Sequence, residues 1–175
     1  MKRIIPIIAL MLLYSCGENP NRVRYNPYEL SPISNPSSVG FEIPFKTTSS
    51  NVKTIHIKLN DVEGTEAIFD TGCSGLLIST LEAASLAKQG TLSSNDNLGQ
   101  ARSSIADGSV IVNMQYSIGE VSVTDVNGVV HTVSNVTATV VDNIEADVLV
   151  GNSVIDQLAS TSYTIDLANS VIRFQ

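Results

Sequence analysis

The chain has 175 residues, 43% of them apolar and none of them tryptophan. That length supports one domain with a real core and is too short for two comfortable ones. A formal charge of −7 offers no basic footprint for nucleic acid, which removes that class of partner, and the excess of Val, Ile and Thr over aromatics favours strands over helices.

The first fifteen residues read as a targeting segment. Lys2 and Arg3 supply a charged start, and Ile4 to Leu13 form an apolar run too short to span a bilayer. The run ends in Leu13-Tyr14-Ser15-Cys16, which resembles the bacterial lipoprotein processing box. The resemblance implies that residues 1–15 are a signal peptide and that Cys16 carries lipid, anchoring the chain to a membrane. Several acyl chains on one cysteine would hold stably where one would not. By resemblance to other lipoproteins, Gly17 after the cysteine implies the outer membrane of a bacterial cell envelope, facing the periplasm or the cell surface. Without Lys2 and Arg3 the chain keeps 8 basic against 17 acidic residues, a charge of −9. Once Cys16 is acylated, Cys73 stands alone and no disulfide framework is expected. Residues 16–38 carry Pro20, Pro27, Pro32 and Pro36 among Asn and Ser, and read as an extended tether without a core.

A single domain is expected over residues 39–175. Phe41, Ile43 and Phe45 alternate, as do Ile55, Ile57 and Leu59, the period of half-buried strands. A turn at Asn60–Gly64 leads to a strand through Ala67-Ile68-Phe69 that delivers Asp70. Ser79 and Glu82 form a capping-box pattern ahead of a short helix ending near Gly90. Thr91 to Gln100 is polar and reads as loop. Ser103–Ile105 and Val110–Met114 form a hairpin around Asp107-Gly108, and Val121–Val126 and Val129–Val133 form another around Asn127-Gly128. Strands at Val136–Val141 and Asp147–Val150, a helix at Ser153–Ser160, and strands at Tyr163–Leu167 and Val171–Phe174 complete the chain. Many short strands with one or two short helices imply an all-β fold, a closed or nearly closed barrel.

In EAIFDTGCSGLLI, residues 66–78, an acid stands between two apolar runs. A carboxylate in such a place is costly to bury unless something pairs with it or shares its proton. Four features in order resemble the retropepsin-like aspartic proteases in their bacterial form: Asp70-Thr71-Gly72 after an apolar strand, the hairpin tip Ile105-Ala106-Asp107-Gly108, the segment Val148-Leu149-Val150-Gly151 before a short helix, and the closing strands Tyr163–Asp166 and Val171–Phe174. The resemblance spans about residues 50–175 and implies a retropepsin-like (acid protease) barrel that hydrolyses peptide bonds. It assigns the catalytic loop to Asp70, Thr71 and Gly72, the substrate-covering flap to Ile105, Ala106, Asp107 and Gly108, and the supporting segment to Leu149, Val150 and Gly151. Cys73 stands where the family usually has Ala or Ser, and Asn152-Ser153 departs from its usual lead into the helix.

The chemistry needs two carboxylates close enough to share a proton, one activating a water and the other polarising the scissile carbonyl. Only one Asp-Thr-Gly occurs here, so the dyad is expected from a twofold-symmetric homodimer. Expected partners are therefore a peptide or protein substrate, a second copy, and a membrane through the lipid anchor. Two scattered histidines, His56 and His131, form no ligand cluster, so neither metal nor cofactor is expected. Both read as solvent-facing, Cys73 as a small core thiol, and Asp107 as turn chemistry. Ser74 lacks nucleophile-elbow spacing, and the Asn135-Val136-Thr137 acceptor pattern carries no weight in a bacterial lipoprotein. Two other readings stand beside the enzyme: a barrel of this kind that binds peptides or partners without turnover, and a structural β-rich lipoprotein.

Overall fold

The computed structural model describes residues 40–62, 64–104 and 107–175. The leader 1–15, Cys16, the tether 16–38, and Ile105 and Ala106 of the hairpin tip lie outside the described residues. In chain order the elements are β1 (Phe41–Pro44), β2 (Lys46–Thr47), β3 (Lys53–Leu59), β4 (Thr65–Phe69), β5 (Leu76–Ser79), α1 (Thr80–Lys88), β6 (Asn97–Ser104), β7 (Val110–Thr124), β8 (Val130–Val141), β9 (Val148–Val150), α2 (Asn152–Leu158), β10 (Tyr163–Asp166) and β11 (Val171–Phe174).

Strands β3, β4, β9, β5, β8 and β7 are neighbours in that order, and β7 pairs back onto β3. The ring is a closed barrel, as the alternating pattern implies. Pairing is antiparallel except at β4–β9 and β5–β8. Inward residues such as Ile57, Ala67, Ile78, Ile118, Ala138 and Val150 are fully buried. Closure leaves those six strands without a bare edge in the ring.

Two strands are longer than their alternation suggests. β7 and β8 stay in register from Met114↔Val140 to Thr124↔Val130, yet the inward set moves from Ile118 to Val121 on one and from Val133 to Val136 on the other. The change falls at Gly119 and at Asn135, whose φ of 56° is left-handed. A sequence period breaks there, but the ladder does not. β6 begins at Asn97, so the last four residues of the polar segment expected as loop through Gln100 are strand. Its hydrogen-bonded partner β7 supplies the order that its own side chains do not, and the Ser93/Asp96 capping box turns the chain into it.

α1 is capped as its sequence requires. Ser79 Oγ accepts from Leu81 N at 2.9 Å, and the Glu82 carboxylate returns to Ser79 N at 3.0 Å. Outside the ring, β1, β11 and β10 form a separate antiparallel sheet. Phe41, Phe174 and Tyr163 are in register on one face, and the Phe69 ring at the end of β4 meets Tyr163 edge-on at 5.6 Å. The sheet is thereby packed beside the residue that precedes Asp70.

His131 is not solvent-facing. Its ring stacks on Phe41 at 3.6 Å, its Nε2 lies 3.2 Å from Asp125 Oδ2, and its side chain is 25% exposed. Strand alternation gave no hint of this, because β1 covers His131 from another part of the chain. Burial raises the Asp125 pKa, but the Val129 N–H, His131 and the Asn127 N–H together outweigh it and leave the carboxyl below its ordinary value.

On the other face of the small sheet, Arg173 bonds Glu42 at 2.5 Å and Asp166 at 2.6 Å, tying all three strands together. The Asn169 side-chain amide and backbone N–H, followed by Arg173, lower the Asp166 pKa from 3.8 to about 2. A folded value below the unfolded one contributes stability that is present above about pH 4 and is lost as pH falls through about 2. Asp166→Asn is expected to lower the melting temperature at pH 6 and to lie much closer to wild type at pH 2. Thermal melts followed by circular dichroism check this; the same deficit at both pH values would exclude the carboxylate charge as the cause.

Candidate active site

The loop that carries Asp70 is built by the order of three strands. β9 lies between β4, which it joins in parallel, and β5, which it joins antiparallel. The chain leaving β4 at Phe69 must therefore pass over the end of β9 to enter β5 at Leu76. Residues 70–75 are that arch, and Gly151 lies directly beneath it. Asp70 N donates to Val150 O at 3.0 Å, which continues the β4–β9 ladder by one bond.

Within the arch, Gly72 N donates to Asp70 Oδ1 at 2.8 Å, and Cys73 N donates to Asp70 O at 3.2 Å. The aspartate closes its own turn with one carboxylate oxygen, as aspartates at turns do. Its side chain is half-buried, while Thr71 and Gly72 are exposed. A carboxylate in this setting can accept further hydrogen bonds through its second oxygen.

The far side of the arch is held by α2. Gly151 N donates to Gly75 O at 3.0 Å, Asn152 N to Cys73 O at 2.9 Å and Ser153 N to Ser74 O at 3.0 Å. The first N–H groups of a helix have no partners of their own, and here loop carbonyls satisfy them. Asn152 Nδ2 adds a bond to Thr71 O at 3.2 Å. Val154, Ile155 and Leu158 bury the helix against the barrel. The approach is so close that a Cβ on Gly151 would fall 2.4 Å from both Cys73 O and Gly75 O.

The structure thus brings Asp70, Thr71 and Gly72 together with Val150 and Gly151, and Leu149 pairs with Ile68 and Leu77 on either side. Gly75, Asn152 and Ser153 belong to the same assembly and were not assigned to it from sequence. The signal for Gly75 was the run of small residues after Asp70, while Asn152 and Ser153 showed only as a departure from the family's usual lead into the helix. Cys73 is half-buried and its Sγ turns to Gly75 O at 3.3 Å, inside its own loop.

Asp107 and Gly108 sit at the end of the β6–β7 ribbon, which runs past β8 because β8 pairs with β7 only from Met114 onward. Asp107 Oδ1 accepts from Ser109 N at 2.8 Å, and that N–H lowers the Asp107 pKa. Gly108 has φ 84°, which a glycine adopts without strain. Val110 and Val112 on the ribbon are half or more exposed. His56 is exposed beside Glu66. Among the described residues, no group of three or more His, Cys, Asp or Glu side chains is placed to hold a metal ion.

Gly151→Ala is expected to cost about 2 kcal/mol or more, since the added carbon meets backbone rather than a side chain that can move. At Gly72 an added Cβ would meet only Asp70 Oδ1, at 3.1 Å, so Gly72→Ala should be the milder change. Urea denaturation of the two variants measures the difference, and equal midpoints would contradict the packing argument.

Comparison with known proteins agrees with this geometry. A retropepsin-like aspartic protease from Rickettsia conorii has the same fold, with TM-score 0.52 and 15% identity over 77% of this chain and 91% of that one. Basic 7S globulin from soybean aligns with TM-score 0.44 and 16% identity over 78% of this chain and 42% of that one. No curated protein matches the sequence. A family model described as aspartyl protease matches residues 55–154 and so takes in β4, the Asp70 arch, the hairpin, β9 and the start of α2. With that match over more than half its length, the chain belongs to the aspartyl protease family and carries it on a retropepsin-like β-barrel.

Proposed function

We propose that this protein is an aspartic endopeptidase whose catalytic dyad is Asp70 from each of two copies. The observation that carries the reading is a single Asp-Thr-Gly arch, held at its back by β9 and α2, in a chain of the aspartyl protease family. Two carboxylates brought face to face on a twofold axis share one proton. The ionised member takes a proton from a water as that water attacks the scissile carbonyl. The protonated member donates to the carbonyl oxygen and stabilises the charge that develops there. The β6–β7 ribbon, with Asp107 and Gly108 at its described end, closes over the substrate, which pairs through its main chain as an added strand. Thr71 supplies a hydroxyl between the two arches.

A binding protein without turnover would use the same ribbon and arch. The two readings separate on one comparison: incubation of the wild-type protein and Asp70→Asn with a diverse peptide library, products read by mass spectrometry. Wild type is expected to cleave and Asp70→Asn to lose at least about a thousandfold of that activity, the order seen when a group central to the chemistry is removed. Cleavage by both proteins would take Asp70 out of the mechanism, and cleavage by neither would favour the binding reading. Sedimentation at the assay concentration is expected to show a dimer.

We further propose that Cys16 is lipidated and tethers the domain, through residues 16–38, to a membrane of the bacterial cell envelope. The support is the charged and apolar leader ending at Leu13-Tyr14-Ser15-Cys16. Cys16→Ser expressed in a bacterial host is expected to abolish labelling by a palmitate analogue and to move the protein out of the membrane fraction. Unchanged labelling would exclude Cys16 as the site.

A further inference from the structure

The Thr71–Gly72 peptide group is gripped at both ends. Its carbonyl accepts from Asn152 Nδ2 at 3.2 Å, and its N–H, carried by Gly72, donates to Asp70 Oδ1 at 2.8 Å. A peptide unit is planar, so the two bonds share one rigid body. A side-chain amide on α2 and the carboxylate of the arch thus lie at opposite poles of the same plane.

This arrangement matters because of what the plane can do without it. Gly72 is exposed and has no Cβ to restrict it, so rotation of the Thr71–Gly72 plane meets little steric resistance. A flipped plane would withdraw the N–H from Asp70 and turn a carbonyl oxygen towards it. The neighbouring carbonyls cannot prevent this, because Cys73, Ser74 and Gly75 are held by the main-chain N–H groups of residues 151–153, downstream of the plane. The Thr71 carbonyl lies beyond the reach of those N–H groups, and the Asn152 side chain bonds it instead. Its own backbone is pinned by the bond from its N–H to Cys73 O at 2.9 Å, so the amide is presented from a fixed origin. A hydrogen bond to the carbonyl end of a peptide also polarises the group and strengthens donation from its N–H.

We propose that Asn152 is a positioning residue for Asp70, acting through the Thr71–Gly72 peptide plane. It holds the plane so that the Gly72 N–H stays on one carboxylate oxygen and leaves the other directed to the reacting water. The kinetic side of this inference rests on the proteolytic reading proposed above; the geometric side does not.

Asn152→Asp separates positioning from support. The two side chains have nearly the same shape, and an acid in the first turn of a helix is favourable. A merely structural role therefore predicts an unchanged or raised melting temperature and unchanged activity. A positioning role predicts that the carboxylate, an acceptor facing the Thr71 carbonyl, drives the plane away. The experiment compares the full-length wild type, Asn152→Ala and Asn152→Asp by the Gly72 amide signal in 1H–15N spectra, its hydrogen exchange, kcat and KM on a cleaved peptide, and thermal melting. In both variants the Gly72 amide is expected to move upfield and to exchange faster. The expected loss in kcat is roughly threefold to tenfold, the range one neutral hydrogen bond supplies, and larger for Asp than for Ala, with KM within about twofold. An unmoved Gly72 amide in both variants would overturn the proposal, as would a loss of kcat that simply follows a loss of melting temperature. If the wild type cleaves no peptide, the proteolytic reading fails by itself, and the Gly72 amide still decides whether Asn152 holds the plane.

Discussion

The structure around Asp70 depends on one set of bonds: the main-chain N–H groups at the start of α2 donating to the carbonyls of the arch above them. Neither partner is stable alone. A helix of seven residues is too short to persist in water, and an exposed loop of glycine, serine and threonine has little to order it. Joined, each satisfies polar groups that the other leaves open. Gly151 makes the joint possible, because any side chain there would separate the two backbones. The position of the carboxylate is thus set by main-chain geometry, and side chains refine it.

The small sheet outside the ring reaches the same place from another direction. Phe41 stacks on Phe174 at 5.0 Å, Phe174 meets Tyr163 at 6.2 Å, and both Tyr163 and Phe174 approach the edge of Phe69. Phe69 immediately precedes Asp70. The small sheet therefore packs against the residue that leads into the arch, with Arg173 clasping Glu42 and Asp166 on the opposite face. The His131–Asp125 pair continues the aromatic column at its outer end by stacking on Phe41.

Much of this was legible in the sequence, and the reasons differ by element. The Ser79/Glu82 cap, the Asp107-Gly108 turn and the Asn127-Gly128 turn are local devices, and the structure places each where its residues imply. The arch itself was legible because an acid followed by small residues between two apolar runs has few structural uses. What escaped was set by contacts between distant segments. Asn97 to Gln100 is a strand only because β7 is beside it. The inward faces of β7 and β8 change parity at Gly119 and Asn135, which breaks the period that sequence reading relies on while the ladder runs on. His131 looked solvent-facing because nothing in its own strand covers it; Phe41, ninety residues earlier, does. Asn152 was visible only as an unusual residue after the apolar-glycine segment, since its partner Thr71 lies 81 positions away.

One consequence follows from how the core is distributed. The six-stranded ring closes within a single chain, and Ile57, Ile78, Ile118 and Val150 are buried without any contribution from a second molecule. The proposed dyad, by contrast, is half present in each chain. Folding and completion of the site are then separate equilibria: the first is intramolecular, while the second depends on the concentration of copies. A tether of the kind proposed for residues 16–38 would act on the second alone. Holding domains at one surface raises their effective concentration without adding a contact to the barrel. On that proposal the domain would fold as a single copy and become chemically competent only as a pair, with the arch over Gly151 keeping each half-site in shape.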